Sequence, residues 1–464
     1  MILSKLETIS FSVGIIGIIF LPFSLSITQG FLYLASLLLL ISLIFKKQKI
    51  HKFPIVFIIL YLWLYFISFF HNLSFKEMIQ TEGKDIFLVM YFLWSYYFIQ
   101  SSYQKKLLYF INLVFILFLL IGFISLFVPF RLSNLFYHLK YGFIFDGKIR
   151  AQHLIFSLDF LPIHWNLSQN TFSIGIYMPV GFSGTHLSFG AQISMITFYF
   201  LSLFYIELFN SNYKKKFILF IVSFYCLILL FFIQARSSIF GFSIMFLTFF
   251  ITMNNQLHKN VLYKKKIDNI YKSILFFIIT IILLIAIAII QSEAFREIFL
   301  QTIGLEKKHT DYQRILLWYT AIRVFFKNPI IGVGLNQFQN HVFQEILTII
   351  QEKPLLWYPL YQTEIMHGHN DLIHFLVIGG IVAGIFYLMF FYTELKNIEI
   401  FLKHDSIIQI KRNPTMVFLY LPIFLLFAGL LQCYLLDDYT MQLFWILYGI
   451  SVGILNQNIH KKEE

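Results

Sequence analysis

The chain has 464 residues, 59% of them hydrophobic, 20% aromatic and only 12% charged. A soluble domain carries about 25% charged residues, so a soluble enzyme is excluded and an integral membrane protein is implied. The net charge of +12 gives no reason to invoke nucleic acid, because most lysines fall in short loops between apolar runs, where basic residues set membrane orientation.

Apolar runs of spanning length suggest about twelve transmembrane helices, at 10–26, 30–45, 53–70, 85–100, 107–130, 186–209, 217–235, 237–253, 273–291, 371–392, 415–434 and 441–455. The first run lacks a small-x-small cleavage site and reads as a retained span rather than a signal peptide. With this count the lysine clusters 46–52, 105–106, 214–216, 259–266, 396–412 and 461–462 all fall on one side. The positive-inside rule makes that side the cytoplasm and places both termini there. The expected fold class is all-α and polytopic, a single membrane domain over 1–464. Two long loops, 131–185 and 293–370, face the opposite side. Loops of that length are functional or disordered, and their aromatic content argues against disorder.

Within the second loop, Ile315, Leu316, Tyr319, Ile322 and Phe326 recur at helical spacing. They predict an amphipathic helix over Thr310–Asn328 lying at the membrane interface, stopped by Pro329. Gly332-Val333-Gly334 reads as a tight turn bringing backbone close to a ligand or another helix, since no strand precedes it and the third glycine of a dinucleotide fingerprint is missing. Gly379, Gly380 and Gly384 read as close helix packing. Cys226 and Cys433 lie inside apolar runs and read as packing residues.

The candidate chemistry lies in the loops. His367-Gly368-His369-Asn370 stands where the polar loop meets the apolar run from Leu372. A neutral imidazole at that boundary can take a proton from a hydroxyl; the alternative is a helix-entry histidine bonded only to its loop. The arginines are Arg131, Arg150, Arg236, Arg296, Arg314, Arg323 and Arg412. All but Arg412 fall on the outer side, against the trend of the lysines. A planar, always-charged guanidinium suits a diphosphate, and the alternative is snorkelling to the interface. Arg236, in Gln234-Ala235-Arg236-Ser237-Ser238 between two spans, is the sharpest case. Asp437-Asp438 is the adjacent acidic pair of a short outer loop. Its isolation suggests that arginines, with no metal and no cofactor, stabilise a departing phosphate.

The series Arg314, Trp318, Pro329, Gly332-x-Gly334, Phe338, His367-x-His369-Asn370 and Gly380, together with Arg236-Ser237-Ser238, resembles the bacterial O-antigen ligase and O-antigen polymerase superfamily. The region 186–392 resembles its ligase domain. Ala383 and Ile378 stand where the family often has glycine and an acidic residue. The resemblance implies an enzyme of the bacterial inner membrane with its active site facing the periplasm. The donor would be an undecaprenyl-diphosphate-linked glycan, and the acceptor a glycan or lipid A-core sugar among membrane lipids. It maps the acceptor-activating base onto His369 and the diphosphate-binding arginines onto Arg236 and Arg314. His367, Asn370, Arg323 and Arg131 are possible supporting residues.

Ligase and polymerase remain open. Arg131 to Gly142 and Arg323 to Gly334 share a ten-residue interval similar to a polymerase loop motif, whereas the His-Asn region is more often associated with ligases. A protein O-oligosaccharyltransferase of the same superfamily is a further alternative. A transporter or flippase for lipid-linked sugars is another, but it would place charges and broken helices at mid-membrane in two corresponding halves.

Overall fold

The structure is a computed structural model and describes residues 2–47, 53–80, 82–133, 152, 154–157, 164–167, 170–209, 212–258, 309–356, 365–403 and 406–463. The expected span at 273–291, Arg150 and Arg296 lie outside these residues.

The protein is mostly helical. The helices, in chain order, are α1 (Ile2–Phe20), α2 (Leu25–Lys46), α3 (Ile55–Phe70), α4 (Phe75–Gln80), α5 (Val89–Ile99) and α6 (Gln104–Phe127), then α7 (His186–Glu207), α8 (Tyr213–Ile233) and α9 (Arg236–His258). After these come α10 (His309–Lys327), α11 (Phe338–Glu352), α12 (Asp371–Lys403), α13 (Ser406–Arg412), α14 (Leu421–Gly429) and α15 (Asp438–Glu463). Among the described residues, α1, α2, α6, α7, α8, α9 and α12 are long and apolar enough to cross a membrane, and Ile55–Phe70 and Pro414–Gly429 are shorter apolar helices. The protein is therefore multi-pass.

The helical fold is the one expected, with four short strands between 154 and 177 added within the first long loop. Leu154–Ser157 pairs antiparallel with Gly175–Tyr177, and His164–Leu167 with Asn170–Ser173. Aromatic and β-branched residues such as Ile155, Trp165 and Thr171 favour a pleated ladder, and backbone groups outside a helix still need partners.

Two helices form the centre. Along α15, Met441, Phe444, Trp445 and Tyr448 are fully buried, and α7 is buried over most of its length. The Trp445 ring lies 5.0 Å from Phe57, 6.0 Å from Phe92 and 6.0 Å from Phe390. Offset and edge contacts of this kind add to the area that aromatics bury. By contrast α1, α2, α6 and α8 leave a row of large apolar side chains exposed, the surface a lipid environment accommodates.

The helix α12 is broken. Gly380 has φ 67° and ψ −167°, a conformation open essentially to glycine alone. The break frees carbonyls of the preceding turn, and the segment after α10 fills the gap. Val333 N–H donates to Val377 O (2.9 Å), Gly334 N–H to Ile378 O (2.8 Å) and Ile381 N–H to Pro329 O (2.8 Å). Trp63 of α3 donates its indole N–H to Gly379 O at 2.9 Å. Irregular backbone inside an apolar bundle persists where such partners satisfy it. Gly332 approaches so closely that a Cβ there would lie 2.5 Å from Gly379 N. The turn at Gly332–Gly334 thus meets another helix, and Gly379–Gly380 do more than permit close packing: they form the slot that receives it.

Candidate active site

The segment His367–Asn370 closes the gap before α12 and is pinned from three sides. Trp318 of α10 donates its indole N–H to Gly368 O at 2.9 Å. Asn370 Nδ2 donates to Leu430 O at 2.8 Å, while its Oδ1 accepts from Ile373 N–H at 2.9 Å and so caps the first turn of α12. Gly368 N–H reaches His374 Nδ1 at 3.4 Å. These contacts hold His369 at φ 47°, the left-handed region that a non-glycine residue occupies only when its surroundings compel it.

The short segment Leu430–Asp437 is the hub that gathers the candidates. Its Gln432 Oε1 lies 2.8 Å from His369 Nδ1 and its Nε2 3.5 Å from His367 Nε2. The two imidazole rings stand 4.4 Å apart. Arg314 donates to Leu431 O at 3.4 Å. Tyr434 OH pairs with Ser237 Oγ (2.8 Å) and Ser238 Oγ (2.6 Å), the two residues that follow Arg236 at the start of α9. The buried Asp371 accepts from Tyr434 and Leu435 N–H at 3.3 Å. One loop therefore joins the start of α9, the inner face of α10 and the histidine segment.

Charge is tuned here. Burial comes first, with His369, His374 and Arg314 acting in the same sense and Glu82 against them, and pushes His367 down to about 3. His367 is therefore neutral at physiological pH. Glu82 is drawn both ways: burial works to raise its carboxyl, but His374, the Asn336 N–H and His367 together leave it lowered. Its Oε1 lies 3.3 Å from His374 Nε2 and its Oε2 3.2 Å from Asn336 N. Glu82 thereby ties the glycine turn to the histidine loop. Asp437 is raised to about 6 by burial, despite hydrogen bonds from Thr440 and Ser188.

The structure separates the arginines. Arg314, Trp318 and Ala321 share the inward face of α10 with Leu317 and Val324, which are buried. Arg323 is nine residues on, about two and a half turns, and points away. It forms a bidentate pair with Glu352 (2.7 and 2.9 Å) and a further contact to Glu345 Oε1 at 2.7 Å. Its carboxylate partners raise its already high pKa, so it is a clasp between α10 and α11. Arg131 donates to Gly184 O at 2.7 Å, bracing the first long loop. Because Arg323 points away from the histidine segment, and Lys327 still pairs with the buried Glu345 when the arginine is lost, replacing Arg323 by Met is expected to change glycan transfer by no more than about fivefold; transfer assayed in membranes checks this.

On α10, Leu316 turns inward, and Ile315, Tyr319, Ile322 and Phe326 are exposed, as a helix lying at an interface would have them. One feature differs from the sequence expectation. The pair Asp437-Asp438 is not isolated: Asp437 accepts from Ser188 Oγ at 3.0 Å and Asp438 pairs with Lys84 at 2.6 Å. Sequence reasoning missed Gln432, Tyr434, Glu82 and His374. None forms a motif, and the nearest signal, the polar residues Asp437–Thr440 after the apolar run, lies beyond Gln432 and Tyr434.

Residues 221–388 match the family model described as O-antigen ligase. The match spans Arg236, Arg314, the glycine turn and His367–Asn370, and ends before Gln432. No curated protein matches the chain. Over those residues the chain is similar to O-antigen ligases.

Proposed function

We propose, on the premise of an O-antigen ligase-like chain, that it transfers a glycan from a polyprenyl-diphosphate carrier to a sugar hydroxyl at the periplasmic face of the bacterial inner membrane. The single observation that carries this reading is the convergence on Leu430–Tyr434 of His369, Arg314 and the serines next to Arg236. A base and one cation on a single loop, with a second cation beside the serines that loop bonds, suit a displacement at an anomeric carbon. The acceptor oxygen forms its bond to C1 as the C1–O bond to the diphosphate breaks. The hydroxyl proton passes to His369. The diphosphate leaves with its growing charge held by Arg236 and Arg314, an arrangement worth about 3–4 kcal/mol per well-placed donor.

The exposed stripe of α10 supports the same reading. With Ile315, Tyr319, Ile322 and Phe326 against lipid, Arg314 faces inward at the level of the headgroups. A carrier whose tail stays in the bilayer would present its diphosphate at that depth. The acceptor is either a lipid A-core sugar, making the chain a ligase, or the end of another carrier-linked glycan, making it a polymerase. The glycan banding of a deletion strain separates them: full-length chains stranded on the carrier mark a ligase, and single repeats mark a polymerase.

The double variant Arg236→Ala/Arg314→Ala is expected to lose at least about tenfold in donor affinity, since each guanidinium offers charge-assisted bonds to phosphate. Binding of the carrier-linked glycan to the purified protein measures it, and wild-type affinity would refute the assignment.

A further inference from the structure

The histidine loop poses a problem that the reaction alone does not solve. An imidazole acts as a base only through the ring nitrogen that lacks a proton, and which nitrogen that is depends on the partner of the other. His369 Nδ1 faces a primary amide, which carries an acceptor at one end and a donor at the other. That amide is not loosely placed. Gln432 is 9% exposed, and the two carbonyls just before it are both engaged, Leu430 O by Asn370 and Leu431 O by Arg314.

We propose that Gln432 is a positioning residue for the transfer reaction: its amide oxygen accepts the Nδ1 proton of His369 and so leaves Nε2 as the basic nitrogen. The geometry supplies both halves of the argument. The Oε1–Nδ1 distance of 2.8 Å is that of a good hydrogen bond, and an amide oxygen can only accept, so the proton belongs to Nδ1. The amide nitrogen then points at His367 Nε2, 3.5 Å away. An amide nitrogen can only donate, so His367 must present a lone pair there. His367 is neutral, as this requires. Its role is to hold the far end of the amide, which resolves why two histidines stand in the loop and only one serves as base.

This inference rests on His369 being the base, and the two can fail separately. In the wild-type protein, labelled with ¹⁵N-histidine and reconstituted in nanodiscs, the ring-nitrogen shifts of His369 report its tautomer. The expected result is a protonated Nδ1 and an unprotonated Nε2 at neutral pH. The reverse tautomer would overturn the proposal whatever the activity. Loss of the His369 signals in His369→Ala assigns them. Full transfer by that variant would instead sink the functional reading while leaving the tautomer result standing.

A second measurement uses Gln432→Glu, which keeps the acceptor and adds a negative charge beside the ring. The titratable and charged groups already bearing on the neighbouring His367 are His369, His374, Glu82 and Arg314. A new carboxylate at hydrogen-bond distance should raise the pKa of His369 and move the acid limb of kcat/KM to higher pH by about one unit or more. An unmoved limb in an active variant would reduce Gln432 to packing and contradict the proposal; if that variant is inactive, the wild-type tautomer decides alone.

Discussion

Replacing His369 by Ala should lower kcat for glycan transfer by roughly 10²–10⁴, the usual contribution of a positioned general base, while donor binding stays near the wild-type level. A sugar hydroxyl is a poor nucleophile until its proton has somewhere to go. The imidazole held between Gln432 and the start of α12 offers that acceptor at the edge of an apolar bundle. The loss corresponds to about 3–5 kcal/mol of transition-state stabilisation. His367→Ala should cost less, because it removes a support for the amide rather than the base. Transfer assayed with both variants in membranes, at matched protein levels, checks the ranking. Equal losses would argue that the loop matters only as a folded unit.

The second large effect concerns the broken helix. A Cβ at Gly380 would lie 2.1 Å from Ile330 O, on a backbone with φ +67°. The strain of that conformation alone costs about 1–3 kcal/mol for a residue with a side chain, and the overlap with a carbonyl has no flexible group to relieve it. Gly380→Ala should therefore expel the turn at 329–334 from its slot. The released segment leads, through Asn336, to Glu82 and His374, so activity should fall although Gly380 touches no substrate. Gly384→Ala is the control, because there the nearest obstacle is the end of the Leu376 side chain at 2.6 Å, which can shift. Thermal unfolding in detergent at one scan rate should place Gly380→Ala well below wild type and Gly384→Ala between them. Equal midpoints would contradict this account of the kink.

What the sequence made legible follows from what local pattern encodes. Apolar runs showed the membrane-spanning character, and the change from apolar to polar sequence at His367–Asn370 singled out the loop that the structure pins. The glycine turn was legible as a close approach, but its target was not. A hydrogen bond from Val333 to Val377 leaves no periodic trace, and a broken helix reads as a whole one when its residues stay apolar. Helical spacing grouped Ile315, Tyr319, Ile322 and Phe326 correctly on one side of α10. It could not say that Leu316 alone of that stripe turns inward, because lipid selects the same residues as a protein core. Gln432 was invisible for a related reason. It lies 63 residues from His369 in sequence, inside what composition presents as the end of one span, and only folding brings the two together.

A lipid-linked sugar transporter would also need an apolar bundle and cations at its edge. It would not need a tautomer-fixed histidine next to them, since translocation breaks no bond. The central claim is therefore that a bond to the carrier diphosphate is broken. The direct test reconstitutes the purified protein in liposomes with a polyprenyl-diphosphate-linked glycan and an acceptor glycan on the same face, and counts released polyprenyl diphosphate. The account predicts release matched one for one by glycan on the acceptor, and both lost in His369→Ala. Movement of the intact donor across the bilayer with no diphosphate released would contradict it.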